Sequence, residues 1–139
     1  MPDIDQLTLN DYPPGAGIGS HIDTHSAFED GIASLSLGSS CVMVFIKKGR
    51  SVPEQDHPTG PLSKAVFLPR RSLVVLTGEA RYLWSHGIPF READLNPEGE
   101  AVPRSRRISL TYRKARGWPC ACPYRDVCST PEVGEEGES

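Results

Sequence analysis

No stretch of this 139-residue sequence approaches the run of about 20 apolar residues that crosses a bilayer. The opening segment, Met1 to Leu9, lacks the basic-then-apolar order of a secretory signal. Both absences point to a soluble intracellular protein, cytoplasmic and possible also in the nucleus, with no membrane partner. Helical periodicity is scarce as well. Nothing predicts a helix longer than two turns, and only residues 79–82 fit a single turn. No internal repeat is present. Net charge is just −3, which gives the chain no strong overall field for nucleic acid. The length suffices for one domain with a hydrophobic core but not for two.

What the chain does have is turns and short alternating runs. Gly and Pro number 13 each, which favours short strands over long helices. Period-2 alternation and β-branched runs predict strands at 17–23, 32–37, 41–47, 64–68, 72–76, 82–88 and 107–114. Turn signals at Gly38, Pro69 and Gly78 separate them. Residues 50–61 and 90–106 read as polar, proline-containing loops. Many short antiparallel strands predict an all-β sandwich or jelly roll. Residues 129–139 read as a disordered tail, which carries Glu132, Glu135, Glu136 and Glu138 and no base. Outside that acidic tail, 14 acids face 15 bases, with a basic run from Arg104 to Arg116. That run reads either as solvated strand edges or as a basic groove.

Two segments carry chemistry. His21-Ile22-Asp23 sets two ligand-type side chains at i and i+2, which on a strand share one face. His86, far downstream, supplies a third. Two histidines and one carboxylate in a facial array leave positions open on a metal for co-substrate and O₂, as in non-haem iron oxygenases. His-x-Asp alone is weak, because such tripeptides also occur in exposed turns. The second segment is 107–113. Arg107, Ser109, Thr111 and Arg113 alternate with Ile108, Leu110 and Tyr112. Were the polar face to point inward, its two guanidinium groups would need a bound anion, and a dicarboxylate supplies matching forks. The alternative is an exposed edge strand.

Cys41 lies in an apolar run and reads as a small buried hydrophobe. Cys120, Cys122 and Cys128 cluster after the last predicted strand. With His25 they would complete a closed tetrahedral zinc site. Unrelated reduced thiols, or one stray disulfide, are the other reading.

Taken in order, Asn10 to Gly15, His21-x-Asp23, Ser34 to Gly38, Pro69 to Leu73, Gly78 to Tyr82, His86-Gly87-Ile88 and Arg107-x5-Arg113 resemble the AlkB family over roughly residues 7–128. The resemblance implies a double-stranded β-helix, a form of jelly roll, housing an Fe(II)- and 2-oxoglutarate-dependent dioxygenase. It implies iron on His21, Asp23 and His86. It implies 2-oxoglutarate on Asn10, Tyr12, Arg107, Ser109 and Arg113, with Arg107 and Tyr12 at the distal carboxylate and Arg113 nearer the metal. Residues 21–30 and the Cys-x-Cys-x5-Cys tail resemble one branch in particular, the AlkB homologue fused to a tRNA methyltransferase. There the equivalents of His25, Cys120, Cys122 and Cys128 bind structural zinc, and the substrate is the side chain of a modified wobble uridine in tRNA. A methyltransferase, fused or separate, is thus a further expected partner. The same resemblance makes residues 1–128 an oxygenase core lacking the family's N-terminal nucleotide lid. The rival expectations are a dioxygenase for alkylated nucleobases or a protein side chain, and a metal-binding fragment without turnover.

Overall fold

The seven runs predicted above, with an eighth strand at Gln6–Tyr12 that is not among them, pair into two four-stranded antiparallel sheets that face each other. The structure, a computed structural model, describes residues 3–48, 62–117 and 123–124. The first sheet joins β1 (Gln6–Tyr12), β10 (Arg107–Arg113), β3 (Ile32–Leu37) and β6 (Ser72–Leu76), in that spatial order. The second joins β2 (Ile18–His21), β7 (Trp84–Ile88), β4 (Cys41–Lys47) and β5 (Ser63–Leu68). This is the expected all-β jelly-roll arrangement, in which two sheets close over one interior. Between them lie Ile32, Cys41, Met43, Phe45, Leu68, Leu76 and Ile88, with Ile18, Val74 and Trp84 packed alongside. Cys41 is 1% exposed, as its apolar strand predicts. Among the described residues no helix is long and apolar enough to cross a membrane.

Several boundaries differ from the sequence reading, each for a local reason. The strand predicted at 17–23 stops at His21, after a register shift against β7 between Ile18 and His21. Asp23 therefore stands on the loop beyond the strand. The run at 82–88 begins only at Trp84, because Gly78 starts a single helical turn, α1 (Glu79–Tyr82), that ends in Leu83. The segment 90–106, read as a loop, holds a small hairpin of β8 (Ala93–Leu95) and β9 (Ala101–Pro103). Its strands are three residues long, too short for alternation to register. The hairpin is pinned by Asp94, which accepts from Arg104 Nε at 2.6 Å, Arg104 Nη2 at 3.0 Å and Arg91 Nε at 2.7 Å. Arg104 Nη1 also donates to the carbonyls of Pro89 and Ala16. Cys120, Cys122, Cys128, the loop 50–61 and the tail 129–139 lie outside the described residues.

In β1 and β10 the usual polarity is inverted. Asn10, Tyr12, Arg107, Ser109, Thr111 and Arg113 face the interior, while Leu7 and Leu9 are exposed. The register aligns Leu9, Leu110, Leu35 and Leu73 in a row across the outer face of the first sheet. Period 2 is legible in the sequence for β10 and is not read for β1, and in both the side that faces inward is the polar one. That inversion lines a pocket inside the two sheets, beside the apolar core.

Candidate metal centre and co-substrate pocket

The centre is built from the pairing of β2 with β7. His21 lies directly opposite His86, and their ring centroids are 4.5 Å apart. So close an approach requires Gly87, since a Cβ there would fall 2.9 Å from the Ser20 backbone and 3.0 Å from the Ile18 carbonyl. Below the pair, Ser20 Oγ donates to Ser85 Oγ at 2.8 Å, and Ser85 is wholly buried. The Nδ1–H of His21 donates to the Gly19 carbonyl at 2.8 Å. With Nδ1–H engaged there, Nε2 is the nitrogen turned to Asp23 and to the site; it shares a proton with Asp23 that a metal would displace. His21 Nε2 is 3.3 Å from Asp23 Oδ1, and His86 Nε2 is 4.0 Å from the same oxygen.

Asp23 is held at both ends of the residue. Its Oδ2 accepts from Arg113 Nε at 2.7 Å, and its backbone carbonyl accepts from Arg81 Nη1 at 2.6 Å. Burial alone would raise the carboxyl pKa. Hydrogen bonds from His21 and Arg113 outweigh it and hold the group well below the usual carboxylate range. His86 moves the other way. Burial, then the neighbouring His21, pushes it down to about 4, so its imidazole is neutral and ligand-competent near pH 7. One ligand atom from each of His21, Asp23 and His86 lies within 4.8 Å of the others. Two imidazoles and one carboxylate around a single point fit a divalent first-row metal with open positions, and Fe(II) in particular; the hydrogen bond to Asp23 raises the His21 pKa, so a metal binding there would displace a proton.

Beside that point lies a cleft of about 80 Å³. All five residues expected at 2-oxoglutarate line it: Asn10, Tyr12, Arg107, Ser109 and Arg113. Arg107 is 4% exposed and has no acidic partner within ion-pair range among the described residues. Its Nη2 donates to Ser36 Oγ at 2.8 Å, its guanidinium lies over the Tyr12 ring, and its buried Nε has no acceptor. A buried guanidinium with an orphaned donor fits an incoming carboxylate. Arg113 sits at the metal end, where its other hydrogen bonds go to Thr8 Oγ1 at 2.9 Å and Gln6 Oε1 at 3.3 Å and its guanidinium lies over the Phe28 ring.

The basic run does not form a free cationic groove. Arg104 is bound to Asp94, Arg106 to Asp11 and Lys114 to Asp5, while Arg113 is bound to Asp23. Arg116 donates to the Phe28 carbonyl and to Tyr82 Oη. His25, the described member of the expected zinc set, is buried, with Nε2 3.1 Å from the Tyr82 carbonyl and its ring edge-on to Tyr82.

Sequence reasoning overlooked Ser34 and Ser36, which share the inner face with Thr111 and Arg107. The alternation Ser34-Leu35-Ser36-Leu37 carried that signal. It also gave no role to Arg81, because nothing local distinguishes a buried arginine from an exposed one.

The profile of the 2OG-Fe(II) oxygenase superfamily matches residues 2–113, and the chain belongs to that superfamily. Within it, the relatives that the chain resembles include AlkB homologues. It is 43% identical to the alkylated DNA repair protein ALKBH8 homolog of Arabidopsis thaliana, over 93% of this chain and 39% of that protein. It is 48% identical to the mouse tRNA (carboxymethyluridine(34)-5-O)-methyltransferase ALKBH8, over 89% of this chain and 19% of that protein. Among solved structures, that of OsALKBH1 aligns over 78% of this chain and 48% of its own, with 19% identity and a TM-score of 0.48. The chain thus spans well under half the length of the curated relatives it matches here.

Proposed function

We propose that this chain is an oxygenase core that binds Fe(II) through His21, Asp23 and His86 and hydroxylates the side chain of a modified wobble uridine in tRNA. The observation that carries the oxygenase reading is the meeting, in one cleft, of a two-histidine, one-carboxylate cluster and the buried, acid-free guanidinium of Arg107. With Fe(II) bound, the centre supplies oxidative decarboxylation of 2-oxoglutarate to succinate and CO₂, coupled to insertion of one oxygen of O₂ into a substrate C–H bond. The protein's own part is positioning. Arg107 and Tyr12 hold the distal carboxylate, with Asn10 and Ser109 as polar contacts along the co-substrate. Arg113 keeps the Asp23 carboxylate ionised and aimed at the metal. His86, neutral through burial, presents an unprotonated nitrogen, and His21, tied to Gly19, would give up to the incoming metal the proton it shares with Asp23.

The tRNA part rests on the resemblance of residues 21–30 and the cysteine tail to the methyltransferase-fused branch, and on similarity to a relative whose name places it at uridine 34. Our proposal extends to a structural zinc on His25, Cys120, Cys122 and Cys128, to residues 1–128 as the folded unit, and to a methyltransferase as fused domain or partner. Purified protein, reduced and loaded anaerobically with Fe(II), would be given 2-oxoglutarate, O₂ and an anticodon stem-loop carrying 5-methoxycarbonylmethyluridine. We expect succinate and a one-oxygen mass gain on that nucleoside, with neither from Asp23→Ala. Succinate only with an alkylated oligonucleotide or a peptide would move the substrate to those classes. Metal binding without turnover on any of them would make the chain a non-catalytic metal binder.

A further inference from the structure

Arg81 is 2% exposed, the largest fully buried side chain described, and no acid lies within ion-pair range of it among the described residues. Its donors go instead to backbone carbonyls of one loop. Nη1 reaches Asp23 at 2.6 Å, Nη2 reaches Thr24 at 3.2 Å and Phe28 at 3.0 Å, and Nε reaches Glu29 at 3.4 Å. Burying a cation this way is expensive, and an apolar side chain of similar volume would serve a core better. The Thr24 carbonyl also accepts from the N–H groups of Ala27 and Phe28, and that of Phe28 from Arg116, so what an apolar side chain could not supply is chiefly the short hydrogen bond to the Asp23 carbonyl.

The loop needs such a device because β2 ends at His21. Past that residue the next ladder contact is the bridge of Phe28 to Ala115, so the backbone at Asp23 has no strand partner of its own, yet Asp23 must stay within ligand distance of His21 and His86. Arg113 fixes the carboxylate, and Arg81 fixes the peptide that follows it. Arg81 itself is placed by α1, which runs directly into β7 and so ties the clamp to the strand bearing His86. The turn is joined to the far end of the same loop, where Asp30 accepts from Gly78 N at 3.0 Å.

We propose that Arg81 is a positioning residue for the metal centre: it holds Asp23 in ligand geometry through the backbone of loop 23–29 and couples that loop to the His86 strand. The proposal rests on the iron reading above. It assigns Arg81 no contact with metal or co-substrate.

The comparison that isolates this role is with Arg104, a second buried arginine, which is bound to Asp94 and to the carbonyls of Ala16 and Pro89. Arg81→Lys and Arg104→Lys would each be assayed for urea stability. Each would also be titrated anaerobically with Fe(II) alone, under conditions where the protein is fully folded. The visible charge-transfer absorption that 2-oxoglutarate induces on bound Fe(II) would be recorded as a second readout. A lysine keeps the charge but reaches only one or two of the four carbonyls. Both variants should lose stability. Arg81→Lys should also weaken Fe(II) binding by about tenfold or more, the size expected when an outer-sphere partner is lost, and should shift or broaden the absorption. Arg104→Lys should bind Fe(II) as the parent does. If Arg81→Lys binds like the parent, or both variants weaken in proportion to lost stability, Arg81 is a core residue only. Arg81 is likewise a core residue only if Arg81→Lys cannot be obtained folded even with metal. A parent protein that binds no Fe(II) would instead refute the iron reading.

Discussion

Arg113 donates from Nε to Asp23 Oδ2 at 2.7 Å across 90 residues of sequence, joining the last strand of one sheet to the loop leaving the first strand of the other. The contact converts a local tripeptide into a centre. His-x-Asp brings two ligand types near each other in the chain, and Arg113 decides which way the carboxylate points.

Arg113→Lys should therefore lower Fe(II) affinity and turnover together, by about 10–100-fold in affinity. Lysine retains a charge but cannot meet Asp23, Thr8 and Gln6 at once, as the guanidinium does. Anaerobic Fe(II) titration beside steady-state succinate release tests this. Parent-like metal binding would show that Asp23 needs no such partner.

Arg107→Lys should act on the co-substrate instead. A point charge cannot reproduce the fork that Arg107 offers to a carboxylate. Truncating one partner of a buried charge pair costs roughly 2–5 kcal/mol, so the KM for 2-oxoglutarate should rise by more than about tenfold. The rate at saturating 2-oxoglutarate should fall less, because the distal carboxylate does not take part in the chemistry. Equal co-substrate affinity in parent and variant would mean that the anchor lies elsewhere.

Gly87→Ala should separate the two histidine strands. The added Cβ would meet backbone at 2.9 Å, so β2 must move away from β7. Overpacking of this kind costs about 1–3 kcal/mol. Because His21 and His86 flank the displaced contact, Fe(II) affinity should fall as well. Urea unfolding and metal titration of the same preparation would register both effects, and unchanged values in either would contradict the close-approach argument.

Asp94→Asn should change the acid limb of stability. Burial alone would raise the Asp94 pKa, but the hydrogen bonds from Arg104 and Arg91 hold it below its ordinary 3.8. A carboxyl whose folded pKa is depressed stabilises the fold above its unfolded pKa and loses that contribution as pH falls through the folded value. The parent should thus exceed Asp94→Asn in stability at pH 7, by about 3 kcal/mol for a broken buried pair. The difference should shrink below about pH 4. Urea midpoints from pH 7 to pH 3 would reveal a converging pair of curves. Parallel curves would mean that Asp94 adds nothing through its charge.

The sequence by itself determined the strands with clear alternation and the ligand types. Cys41–Lys47 and Ser72–Leu76 form where β-branched runs and flanking turns place them. His21, Asp23, His86 and the alternating arginines of 107–113 were readable because chemistry of that kind restricts residue identity. Sequence reading did not register β1 and could not say which face of β10 turns inward, since period 2 describes both faces equally. Only closure of the two sheets put the polar faces inside and left Leu7 and Leu9 exposed. Nor could it detect that Arg104, Arg106, Arg113 and Lys114 are taken up by Asp94, Asp11, Asp23 and Asp5, each brought near by strand pairing or loop packing, while Arg107 is left for the pocket. Arg81 is the clearest case. Its partners are backbone carbonyls, which every residue carries alike, so no pattern of side chains announces them. The tertiary structure alone decided that a buried guanidinium would lie under the loop that carries Asp23.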